Sequence, residues 1–231
     1  MANDDLDAAE IATILTSADA SDVARLLRTP APSSVDIQWA RVSAILEANI
    51  GVSFRGATDA DIAAAEKATC PWTDEVRDLY HRAELTPEQR GIALIPPGFE
   101  LLSLDRLLSD HRLWIDFNAN PAFGEPIDMD EEMAKPAGSP APMMLPGFVA
   151  FAKSNADTLF VDTRTGPLHG CVNIHPDADA PWKPPLWRSL SAMLEQLAFS
   201  LERNTTFDMR VTLWSKYQPF IEGTRLVWEY R

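Results

Sequence analysis

Apolar positions recur at helical spacing along much of the N-terminal half of the chain, and hydroxyl or acidic residues stand where helices would begin. Ile11, Ile14 and Leu15, then Val23, Leu26 and Leu27, predict two short helices, with Ser21 as an N-cap between them and Pro30 and Pro32 ending the run. Ser33-Ser34-Val35-Asp36 has the form of a capping box. It opens a helix with Trp39, Val42 and Leu46 on one face, Ile45 beside them, and Gly51 just beyond its end. Thr58-Asp59-Ala60-Asp61 repeats the box before Ile62, Ala65 and Glu66, and a third helix carrying Val76, Leu79 and Tyr80 follows Pro71 and Thr73. Ser103 caps a brief helix bearing Leu104, Leu107 and Leu108, with Trp114, Ile115 and Phe117 after it.

The period then changes. Residues 118–147 hold six prolines and neither a helical nor a strand repeat, which predicts a long loop; it contains the acidic run Asp128-Met129-Asp130-Glu131-Glu132. Phe148-Val149-Ala150-Phe151, Thr158-Leu159-Phe160-Val161-Asp162 and residues 168–174 read as strands separated by turn compositions of hairpin length, an antiparallel meander. Leu186, Leu190, Met193, Leu194, Leu197 and Leu201 trace an amphipathic helix ending near Asn204. Val211 and Leu213 alternate with polar neighbours, and Leu226, Trp228 and Tyr230 share one face of a final strand. The class is α+β: N-terminal helices packed on a mainly antiparallel sheet, with a long amphipathic helix near the C-terminus. Residues 1–32 form an acidic helical leader, and residues 33–231 the main domain.

Charge narrows the function. The 231 residues carry 34 Asp+Glu against 20 Lys+Arg, a net charge of −14, which opposes binding to nucleic acid or to an anionic membrane. Residues 204–231 hold three acidic and four basic residues, so the whole surplus lies in residues 1–203. No apolar run approaches the ~20 residues of a membrane span, and the start, Met1-Ala2-Asn3-Asp4-Asp5, is the opposite of a basic targeting region. These features predict a cytoplasmic protein with no membrane partner. Cys70 and Cys171 form no metal-binding spacing and read as buried free thiols, with a long-range disulfide as the alternative.

The chain contains no nucleophile elbow, phosphate-binding glycine loop, dinucleotide fingerprint or zinc-protease helix motif, so no metal, cofactor or enzymatic activity is predicted. The nearest polar cluster is Asp162, His169, His175, Asp177 and Asp179, whose residues fall largely in turns, where Asp serves the backbone. Glu66 reads as a structural or solvated carboxylate, with a functional role as the alternative. Of the seven tryptophans, Trp182 and Trp187 lie beside prolines and are the ones placed for an interface. The run Asp128, Asp130, Glu131 and Glu132 is either a solvated loop or a negative docking surface, joined by Asp162, Asp177 and Asp179 and by Trp182, for a partner with a basic face.

The order of motifs resembles the SUKH superfamily, the group of fungal cell-wall assembly regulators, killer-toxin-resistance proteins and bacterial immunity proteins. The resemblance rests on the helix with Trp39, on Thr58-x-x-Asp61-Ile62-x-x-x-Glu66, on Pro71 with Leu79-Tyr80, and on Pro97-Gly98-Phe99-Glu100-Leu101-Leu102-Ser103-Leu104. Pro146-x-x-x-x-Phe151 and Thr158 to Asp162, with Gly166 and Gly170, complete it over residues 36–203. Thr69-Cys70-Pro71 stands where the family usually has Gly-Leu-Pro. The resemblance implies helices on one side of an antiparallel sheet and a non-catalytic protein-binding role, as an immunity protein that neutralises a basic toxin such as a nuclease or deaminase. The alternatives are a regulatory adaptor of cell-wall assembly, a hydrolase using Asp162 and His169, and a structural subunit with an apolar patch around Trp182 and Trp187.

Overall fold

A computed structural model of the chain describes residues 26, 34–84, 91–120, 127–155, 157–176, 184–209 and 216–231. Helix α1 (Val35–Ile50) buries Val35, Trp39, Val42, Leu46 and Ile50 on one face. It ends where Gly51 turns into the left-handed region at φ 68° and its N–H meets the Glu47 carbonyl, a conformation that a side chain would strain. Of the expected Ser33–Asp36 box, Ser33 lies outside the described residues; Ser34 occupies the N-cap position and its side chain makes no capping hydrogen bond. The second box forms. Thr58 Oγ1 accepts from the Asp61 N–H at 3.2 Å and donates to Asp61 Oδ2 at 2.6 Å at the start of α2 (Asp59–Ala68). Thr73 caps α3 (Asp74–Tyr80), and Ser103 caps α4 (Leu104–Asn118). Trp114, Ile115 and Phe117 lie within α4, so this helix is longer than its apolar spacing predicts.

Glu66 is a structural carboxylate. It accepts from the Trp72 N–H at 2.9 Å and from Arg77 Nε and Nη2 at 2.9 and 2.6 Å, fastening α2 to α3 across the Pro71 turn. The Tyr80 hydroxyl donates to the Leu102 carbonyl and ties the helices to the sheet edge. The first sheet has the order β1-β2-β3-β4, antiparallel throughout, from β1 (Glu100–Leu101), β2 (Phe148–Lys153), β3 (Thr158–Asp162) and β4 (Val172–His175). β2, β3 and β4 are buried almost end to end, so both faces of this sheet are covered. The meander matches its prediction except at β4, which begins at Val172. Residues 167–170 turn instead, with the Cys171 N–H donating to the Leu168 carbonyl.

Helix α5 (Met129–Ala134) interrupts what reads as loop, and α6 (Leu190–Arg203) buries Leu190, Met193, Leu194 and Leu197 and is capped by Asn204 at φ 50°. α6 lies along α1, and Arg41 grips Glu202 between them. Beyond it stands a second sheet, β5-β6-β7, made of β5 (Phe207–Asp208), β6 (Lys216–Glu222) and β7 (Arg225–Tyr230). Only β7 is foreseen by the alternation of Leu226, Trp228 and Tyr230. Phe207 stands between Trp187 and Trp228, with ring centroids 5.8 and 5.9 Å away, which joins this sheet to the common core. Trp187 is therefore 3% exposed, with its indole N–H on Gln196, and belongs to the core rather than to an interface.

Cys171 is buried and Cys70 half-buried, and both are free thiols. Among the described residues no helix is long and apolar enough to cross a membrane. Of the predicted leader only Leu26 is described, and it is buried. The first predicted strand of the tail, around Val211 and Leu213, lies outside the described residues.

Two outcomes test this packing. A Cβ on Gly56 would stand 1.8 Å from the His81 carbonyl oxygen, so Gly56→Ala should destabilise the chain by about 2 kcal/mol or more in urea unfolding. The hydrogen bonds from Arg77 hold the Glu66 carboxyl below its usual range. Their contribution is complete above the pKa of an unfolded glutamate and is lost as the pH falls through the lower folded value. Wild type and Glu66→Gln should thus differ most in thermal stability at neutral pH and converge in acid.

Candidate functional site

The predicted site centres on the acidic run and the end of β3, and the structure joins these two by a route that charge patterning does not show. Asp162, the last residue of β3, is 1% exposed, and the side chain of Arg164, two residues on, is 0% exposed. Asp162 Oδ2 accepts from Arg164 Nη2 at 2.8 Å and from the Gly138 N–H at 2.8 Å; Oδ1 accepts from the Arg164 N–H and Nε. Two further guanidinium donors reach backbone carbonyls, Nη1 to Glu132 at 3.2 Å and Nη2 to Ser139 at 2.7 Å. The cation lies 5.0 Å from the centre of the Phe148 ring, itself stacked on Phe160 at 4.2 Å.

This arrangement corrects the role given to Asp162. A carboxylate enclosed in this way offers no surface to a partner. It also does not pair with His169, which is exposed and whose Nδ1 lies 3.0 Å from the Arg164 carbonyl oxygen. Asp162 and His169 each contact Arg164, and no hydrogen bond joins them, so the acid/base pair of the hydrolase reading does not form. His175 packs its ring against Trp114, at 5.3 Å. Asp177, Asp179 and Trp182 lie outside the described residues. Among the described residues no three His, Cys, Asp or Glu side chains gather where a metal ion could be held.

The acidic run is a helix rather than a loop, for local reasons. Asp128 caps α5, its carboxylate accepting from the N–H groups of Asp130 and Glu131. Met129 and Met133, one helical turn apart, pack against the core, and Met133 fills the space left by Gly147, where a Cβ would meet its methyl carbon at 2.6 Å. Glu132 turns inward, with 12% of its side chain exposed and Lys135 on one carboxylate oxygen. Asp128, Asp130 and Glu131 remain exposed. The four predicted acidic contacts of this run thus divide into three on the surface, of which Asp128 also caps the helix, and one turned inward.

Arg164 passes under this helix and holds its backbone through the Glu132 carbonyl. The result is a short negative ridge fixed to the sheet, with its charge set in place before any partner arrives. Sequence reading missed Arg164 because a charged residue in a turn composition reads as solvated. The spacing of Met129 and Met133 after Asp128 is the signal that could have revealed α5.

Removing one member of a buried ion pair leaves the other charge uncompensated, so Arg164→Met should cost about 3–5 kcal/mol in chemical denaturation. Asp162→Asn/Arg164→Met, which removes both charges, should recover part of that loss. No protein-family model and no curated protein matches this chain.

Proposed function

We propose that this chain is a non-catalytic protein-binding module whose α5 ridge docks on a basic surface, and that its partner is a toxin that it neutralises. The anchored acidic helix supports this reading: Asp128, Asp130 and Glu131 face outward from a backbone clamped by a buried arginine. Fixed charges of one sign speed the encounter with an opposite surface and set its orientation. The net charge of −14, all of it from residues 1–203, has the same sign as the ridge, and a toxin that attacks nucleic acid needs a basic cleft that such a surface can occupy. The motif order that resembles SUKH proteins points the same way, as does an Asp162 carboxylate committed to structure.

The test compares wild type with Asp130→Lys/Glu131→Lys, which spares the capping Asp128 and the inward Glu132. In capture from lysate of the native cell, wild type should retain a basic protein at low salt and lose it at high salt. The variant should bind it on the order of tenfold more weakly. Expressed alone the partner should arrest growth, and co-expression of the wild-type chain should relieve the arrest. Equal retention by the variant, or a captured partner without toxicity, would overturn the respective half of the proposal.

A further inference from the structure

The second sheet ends in an open strand. In the order β5-β6-β7, β7 has β6 on one side, and among the described residues no strand pairs with its other edge. Among the described residues Leu226 and Trp228 have no strand partner on that side, and such an edge invites another strand. The register shows which groups face outward. Glu222 and Arg225 close a two-residue turn in which Gly223 takes φ 63°, and the pairs run on through Phe220 with Val227 and Gln218 with Glu229. The Arg231 N–H donates to the Lys216 carbonyl, so residues 225, 227, 229 and 231 direct their backbone groups toward β6. Pro219, which has no N–H to give, sits at the alternate position opposite Trp228. Leu226 and Trp228 therefore direct theirs to the open edge.

We infer that this edge is completed by a second copy of the chain, β7 pairing antiparallel with β7 about a two-fold axis at Val227. In that register the sequence is complementary to itself. Arg225 stands opposite the partner's Glu229 and Glu229 opposite the partner's Arg225, in non-hydrogen-bonded positions where the Cα atoms are about 4.5 Å apart. Leu226 and Trp228 exchange backbone hydrogen bonds with the partner's Trp228 and Leu226. Val227 meets the partner's Val227 on the axis, flanked by Phe220, which is 37% exposed in the single chain. An apolar row thus crosses the axis between two ion pairs, in each of which Glu229 is shared with Arg231 of its own chain, already 3.0 Å away. Moving the axis one residue to Trp228 sets Arg225 against the partner's Arg231, so charge selects the first register. The pairing is isologous and closed, and it joins two three-stranded sheets into one of six. It uses the C-terminal segment, where residues 204–231 carry three acidic and four basic residues, which lets two molecules of net charge −14 approach there.

The test is sedimentation equilibrium of the full chain and of two charge variants, Arg225→Glu and Glu229→Arg. The wild-type chain should dimerise. Each variant alone places like charges opposite each other twice, and should dimerise roughly tenfold more weakly. An equimolar mixture of the two variants should dimerise again, because both cross-axis pairs are then attractive. Arg225→Glu/Glu229→Arg on one chain should do the same. A monomeric wild type, single variants that associate as wild type does, or a mixture that stays monomeric would each overturn the inference.

Discussion

The burial of a single arginine fixes where four segments of this fold meet. A guanidinium withdrawn from water is tolerable only where its donors and its charge are answered together. Here the Asp162 carboxylate answers the charge, the carbonyls of Glu132 and Ser139 answer two more donors, and the Phe148 ring lies beside it. Each partner belongs to a different segment: the end of β3, helix α5, the turn after it, and the first residue of β2. The proline-rich connection must therefore return to this place, because a shift of that segment would leave a buried donor unmet. The same requirement explains how a six-residue helix, too short to persist alone, keeps a defined position.

How far the fold was legible depended on how local its causes were. The Thr58, Thr73 and Ser103 caps and the stripe through Leu190, Met193 and Leu197 involve neighbours within a turn or two, and their pattern is written in consecutive residues. The meander was legible because its turns are short. β6 was not: Pro219 reads as a breaker, and the strand's mixed exposure hides the alternation that would reveal it. Proline is tolerated there because its missing N–H falls at a position that needs none.

The site was legible in charge but not in geometry. The exposure of Asp128, Asp130 and Glu131 follows from their lying on the outer side of a helix whose other side carries Met129 and Met133. Asp162 has the same charge and the opposite fate, and only the arginine two residues later distinguishes it. Nothing in the composition of a turn says whether its arginine faces water or the interior; that is settled by Phe148 and Ser139, which are distant in sequence. Glu66 shows an intermediate case, since its arginine lies eleven residues on, on the next helix across the Pro71 turn.

The pairing of α1 with α6 has a consequence for the order in which the molecule assembles. Arg41 and Glu202, which join these helices, are 161 positions apart in the chain. On the ribosome the apolar face of α1, from Val35 to Ile50, is complete long before its partner exists, and contacts of such long range are made late and slowly. Phe54 and α3, which follow soon after, meet part of that face, but the part that α6 covers stays open until nearly all of the chain has been synthesised. The interval before α6 emerges is thus the period in which this protein is most exposed to misassociation.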